Sequence, residues 1–157
     1  MERDDLMRLF AALAAENVAY VLVGGVAMNL HGVVRATEDV DLFVQPDAEN
    51  VAGVRRALRR LYADPDVDGI RAEDLAGDYP VVRYVPPEGR PVLDLIARLG
   101  DRFVFGDLNS EVRDLGGVPV RLATPATLYA MKHDTVRPVD RADAERLRDA
   151  FGVGTDA

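Results

Sequence analysis

The chain contains no cysteine. That excludes a disulfide framework and a thiolate metal site. Long apolar runs are also missing. The start, Met1 to Asp5, is charged and leads into an amphipathic pattern rather than a signal peptide or membrane span. A cytoplasmic protein is expected, with no membrane partner. Internal repeats and low-complexity tracts are absent. Basic charge is in deficit: 19 Lys and Arg face 27 Asp and Glu, for a net charge of −8. Broad nucleic-acid binding, which rests on cations neutralising phosphates, is disfavoured, although a local basic face is compatible with that balance. Histidine is limited to His31 and His133. His31, at a helix end, reads as a packed or solvated residue, and His133 has no assigned role.

What is present is an ordinary globular balance: 157 residues, 48% apolar and 29% charged. The length fits one domain with a core that needs no covalent staples. We divide it into an α/β core over 1–122 and C-terminal helices over 123–152.

The chain is organised around residues 20–44. Val21, Leu22 and Val23 form a short apolar run that suits a buried strand. Gly24 and Gly25 follow as a turn, then a short helix over Val26–His31 that stops at Gly32. A glycine turn feeding a helix exposes backbone N–H groups, which suit phosphate oxygens. A second strand carries Asp39 and Asp41. Side chains two apart on a strand share a face, with Cα atoms roughly 6–7 Å apart. Both carboxylates can therefore meet one divalent cation while Val40, Leu42 and Val44 point into the core. Arg35 and Thr37 lie in the loop before them. Arg35 is open to pairing with a phosphate or a site carboxylate, or to being a surface arginine.

Elsewhere, Leu6, Leu9, Phe10 and Leu13 mark a helix over 3–16. A second helix over 47–62 has Asp47 as its N-cap and Val51, Val54, Leu58 and Leu61 inward. Its Arg55, Arg56, Arg59 and Arg60 read as a solvated face, since no aromatic residue is interleaved for base stacking. Residues 64–78 read as a mobile acidic loop with at most a helical turn. Val81–Val85 and Pro91–Ile96 read as a hairpin. Asp94 sits in the second run, where a charge is costly unless paired or bound to metal. Beside Asp39 and Asp41 it completes a metal triad. Phe103–Phe105 is expected in the core. Val118–Leu122 is a strand after Gly116 and Gly117. Thr124 and Pro125 start a helix holding Leu128, Tyr129 and Met131, with Lys132 and His133 at its end. Pro138 breaks the chain, and a last helix over Asp140–Phe151 turns Ala144, Leu147 and Phe151 inward and stops at Gly152.

Gly24-Gly25-x-Ala27, Arg35-x-Thr37-x-Asp39-x-Asp41 and the later Asp94 resemble the nucleotidyltransferase superfamily pattern. The resemblance is to small bacterial members in particular: AbiEii-type toxin nucleotidyltransferases and minimal nucleotidyltransferases. The early motif also occurs in aminoglycoside and lincosamide nucleotidyltransferases. The segment Met131–Asp143 resembles the family's late Lys…Arg…Asp…Asp signature. The resemblance implies a mixed β-sheet flanked by helices, two Mg²⁺ ions (or Mn²⁺), and transfer of a nucleoside monophosphate from an NTP with release of pyrophosphate. By resemblance, Asp39, Asp41 and Asp94 are metal ligands and catalytic. Lys132 contacts the triphosphate. Gly24, Gly25, Arg35, Thr37 and Asp143 belong to the nucleotide site, and Asp140 is a less secure acidic match. Only a short segment follows the last strand, which leaves the acceptor pocket open or completed by a second subunit or an antitoxin. The acceptor classes are tRNA or protein on the toxin reading and a small antibiotic on the resistance reading. A non-catalytic nucleotide-binding module is the alternative from another class.

Overall fold

The computed structural model describes residues 2–77, 80–100, 102–133, 135 and 137–154. Asp78, at the end of the acidic stretch, and Asp134 and Val136, in the late signature, lie outside them.

Six strands form one mixed sheet. β1 (Tyr20–Val23) is fully buried and central, which fits its unbroken apolar run. It pairs antiparallel with β2 (Asp39–Val44) and parallel with β8 (Val118–Ala123). β2 pairs parallel with β4 (Val92–Ile96), and β4 pairs antiparallel with β3 (Val81–Tyr84) at one edge. β7 (Ser110–Leu115) forms the other edge, joined to β8 by Gly116 and Gly117. Both glycines have positive φ, 60° and 91°, which is what a two-residue hairpin turn requires. The order is β3-β4-β2-β1-β8-β7. Two short strands, β5 (Arg98–Leu99) and β6 (Phe103–Val104), form a separate ladder.

Helices cover the sheet. α1 (Arg3–Ala15) and α3 (Ala48–Leu61) pack against each other and bury Leu9, Phe10, Leu13, Val51, Val54 and Leu58. Asp47 caps α3 through the Asn50 amide at 2.9 Å. Asn50 then ties three segments together. Its side chain accepts from Ala19 N at 2.7 Å and donates to Ala19 O at 2.9 Å and Gln45 O at 2.8 Å. The start of β1 and the end of β2 are thereby held to one helix. The arginine cluster of α3 is engaged in the same way. Arg56 and Arg60 pair with Glu16, Arg59 with Asp68, and Arg55 donates to Ile70 O. Glu16 is held below the usual glutamate range by its hydrogen bonds to Arg56 and Arg60.

Several expectations change. The acidic stretch is no loose loop. It holds a 3-10 turn (Pro65–Gly69) and a short helix, α4 (Ala72–Ala76), pinned by buried Val67, Ile70 and Leu75. Those three apolar residues are too widely spaced among acids to show a period. Phe103 and Phe105 are only half-buried against the core and Val104 is exposed, because Phe103 and Val104 lie on the small outer ladder and Phe105 opens a 3-10 turn. Phe151 is 40% exposed at the end of α6 (Pro138–Phe151), although Ala144 and Leu147 of that helix are buried. Pro138 opens α6 instead of breaking the chain: at the first turn the missing N–H costs nothing. α5 (Pro125–Lys132) starts at Thr124, whose hydroxyl accepts from Thr127 N at 3.2 Å. Among the described residues, no helix is long and apolar enough to cross a membrane.

Replacing Asn50 with Ala strands the Ala19 and Gln45 backbone groups. We expect a loss of roughly 1–3 kcal/mol of stability, read as a lower urea midpoint with unchanged slope.

Candidate active site

Strand register assembles the acids. In β2, Asp39 and Asp41 alternate with buried Val40 and Leu42. The parallel pairing of β2 with β4 sets Asp41 directly beside Asp94. Three carboxylates thus converge from adjacent strands, on a face that the core does not fill. Burial, then the nearby charges of Asp94 and Asp39, push the Asp41 carboxyl from 3.8 up to about 6.

The glycines act through closeness. α2 spans Gly24–Leu30, so the helix begins at Gly24 itself and there is no separate turn before it. Gly24 has φ +73°, and a Cβ there would lie 2.1 Å from Asp41 Oδ2. A Cβ on Gly25 would lie 2.9 Å from the Thr37 side chain. Only glycine lets this backbone close over Asp41 and Thr37. Thr37 Oγ1 in turn donates to Asp39 O at 3.1 Å, fixing the entry to β2. Arg35 N donates to Asn29 Oδ1 at 2.8 Å, which ties the same loop to α2.

Two cations come from the other side. Lys132, near the end of α5, donates to Asp143 Oδ2 at 2.9 Å and lies 3.5 Å from Asp140 Oδ1. Arg35 Nη1 reaches the same Asp143 oxygen at 2.5 Å. Asp143 is 3% exposed and Asp140 9%, so neither is a surface acid. Asp140 also accepts from Thr135 Oγ1 at 2.9 Å. A cleft of about 550 Å³ opens between the two sets. Of the residues selected from sequence for the site, all but Asp143 line it. Asp143 stands behind Lys132 and Arg35.

Sequence reasoning missed Arg83, on β3. Its Nε donates to Asp94 Oδ1 at 2.9 Å, and its Nη2 donates to Asp94 Oδ2 at 3.0 Å and Asp39 Oδ2 at 3.1 Å. Those bonds, with the charges of the acids, raise the Arg83 pKa further. The signal was available: in a hairpin joining 81–85 to 91–96, Arg83 falls opposite Asp94. Arg137, also on the rim, was noticed only as part of the late signature. The histidines lie apart from this chemistry. The His31 side chain is buried, with Nε2 2.8 Å from Ala123 O, and joins the end of α2 to the end of β8. His133 stacks on Tyr129 with ring centroids 4.8 Å apart.

A hard divalent cation suits an all-carboxylate donor set. As arranged, no trio of His, Asp or Glu side chains among the described residues is gathered closely enough to hold such an ion. Asp39 and Asp94 are instead engaged by Arg83.

The family described as "Nucleotidyl transferase AbiEii toxin, Type IV TA system" matches residues 6–151. The chain therefore belongs to the AbiEii nucleotidyltransferase toxin family, and it is a nucleotidyltransferase. Solved structures share the fold. ANT(2")-Ia, in a crystal structure with adenylyl-2"-tobramycin, is 17% identical with a TM-score of 0.58, over 96% of this chain and 89% of that one. A solution structure of ANT(2'')-Ia is 18% identical with a TM-score of 0.54, over 96% and 84%. An antigenic nucleotidyltransferase-like protein from Paracoccidioides brasiliensis is 16% identical with a TM-score of 0.56, over 94% and 75%. No curated protein matches the chain closely enough to be counted.

Two outcomes test this geometry. Asp41 holds a proton in the folded state that the unfolded chain gives up, so stability falls as pH rises from about 4 to about 6 and the deficit persists above. Asp41→Asn removes it: metal-free protein should gain stability at about pH 7.5, by at most about 3 kcal/mol, and the gain should shrink at about pH 5. Thermal melts in chelator at both pH values measure this. Gly24→Ala should displace Asp41 and strain a left-handed residue, costing at least about 1 kcal/mol and nucleotide transfer with it. Chemical denaturation and a transfer assay read the two losses.

Proposed function

We propose that the protein transfers a nucleoside monophosphate from an NTP to an acceptor hydroxyl in a metal-dependent reaction, as a toxin acting on tRNA or protein. The observation that carries this reading is the alignment of Asp39, Asp41 and Asp94 on adjoining strands, opposite Lys132 and against the Gly24–Gly25 helix start. In the reaction, the acceptor oxygen forms a bond to the α-phosphorus while the bond to the bridging oxygen breaks. Pyrophosphate departs with that electron pair.

Asp39 and Asp41 would hold both of two Mg²⁺ ions, and Asp94 the one nearer the acceptor; Mn²⁺ fits the same donors. When bound, such ions neutralise the triphosphate and lower the pKa of the acceptor hydroxyl. Asp94 would also receive the hydroxyl proton. The amides at Gly24 and Gly25 would receive the β- and γ-phosphates. Thr37 keeps that backbone close to β2. Lys132 and Arg35 bring positive charge to the triphosphate, and Asp143 serves as a positioning residue, orienting both from behind. Family membership supports an NTP as co-substrate and an antitoxin as partner. A second reading, a small cationic antibiotic as acceptor, draws on the net charge of −8, which favours encounter with cations.

The test is label transfer from each NTP, with Mg²⁺, to total tRNA, to an aminoglycoside panel and to the protein alone. We expect label on one acceptor class and a loss of at least about 10³-fold in Asp41→Ala, the scale of removing a main electrostatic group. Undiminished transfer in Asp41→Ala would overturn the proposal.

A further inference from the structure

Arg83 has no part in the reaction just described, yet its guanidinium lies on the acids. The side chain is 59% exposed and springs from an edge strand, so no packing forces it inward. The antiparallel register sets it opposite Asp94. From there it grips both Asp94 oxygens, at 2.9 and 3.0 Å, and reaches Asp39 at 3.1 Å. The planar fork matches a carboxylate edge bidentately. These are the carboxylates that the proposed function assigns to the divalent cation, so an incoming metal ion meets a positive charge already seated on both Asp94 oxygens and one Asp39 oxygen.

We propose that Arg83 is a displaceable internal counter-cation, competing with divalent metal for Asp39 and Asp94 and so setting the metal affinity of the site. This rests on the metal-dependent reading above. Without metal, Arg83 offsets the repulsion among the three carboxylates. With metal, it swings out on its flexible stem toward solvent. The cost is that of a binding-competent state populated only in part, where apparent affinity falls by that fraction. An ion pair with a purely structural role would have the opposite signature, since its loss would loosen β3 against β4 and weaken any site built on β4.

The test is Mn²⁺ binding to the full chain without nucleotide, read as free Mn²⁺ by electron paramagnetic resonance. Wild type is compared with Arg83→Gln, Arg83→Lys and Asp41→Ala. We expect Arg83→Gln to bind Mn²⁺ roughly threefold to tenfold more tightly. Arg83→Lys, which keeps the charge but loses the fork, should fall between, and Asp41→Ala should bind weakly. Thermal melts confirm that each variant is folded; should Arg83→Gln not fold, Arg83→Lys against wild type carries the same sign test. Asp41-dependent binding that Arg83→Gln leaves unchanged or weakens would overturn the counter-cation role while sparing the metal reading. Wild-type binding that Asp41→Ala leaves unchanged would overturn both.

Discussion

Repulsion among three carboxylates is the constraint around which this molecule is arranged. The parallel pairing of β2 with β4 puts Asp41 next to Asp94, and the two-residue period adds Asp39. Core packing holds that register, because a slip by one residue would turn Val40 and Leu42 out and the acids in. The hydrophobic core therefore holds the acids together against their own charge. Asp41 shows the cost in its raised pKa, which burial and its two neighbours produce.

The surrounding cations fall into two groups with different partners. Lys132 and Arg35 are committed to Asp143, a buried acid on α6, and Asp140 stands beside it. This pairing keeps two cations at the cleft without letting them collapse onto the β-strand acids. It also docks α6 and α5 against the loop before β2, which gives the C-terminal helices a part in the site. Arg83 is the opposite case, because its partners are the site acids themselves. One set of positive charge is fixed by a buried acid behind the cleft. The other lies on the strand acids.

Much of this was legible in the chain. The β1 run, the Asp39 and Asp41 alternation, the Asp94 strand, the Thr124 cap and the Gly152 stop all rest on local rules, and the local rules held. The stretch after α3 was misjudged because Val67, Ile70 and Leu75 reach the core without helical or strand periodicity. Pro138 was misjudged because a proline that ends one segment also opens the next helix well. Strand β7 was not foreseen: as an edge strand, Ser110–Leu115 lacks a clean apolar/polar alternation and neither of its faces is fully buried. Gly24 and Gly25 were singled out for the phosphate they could receive. In the fold they also make room for Asp41 and Thr37, and no one-dimensional pattern carries that distance.

By itself the sequence determined which residues are candidates for chemistry, because period-two alternation and glycine placement are local consequences of backbone geometry. Through their resemblance to the nucleotidyltransferase pattern, the glycines, the paired acids and the later Asp94 also pointed to the class of enzyme. The tertiary structure alone decided which charges meet across long stretches of chain. Arg35 finds Asp143 across 108 positions, and Arg83 finds Asp39 across 44. Such partners are selected by sheet order and helix docking, which depend on how the whole core closes and not on any neighbour along the chain.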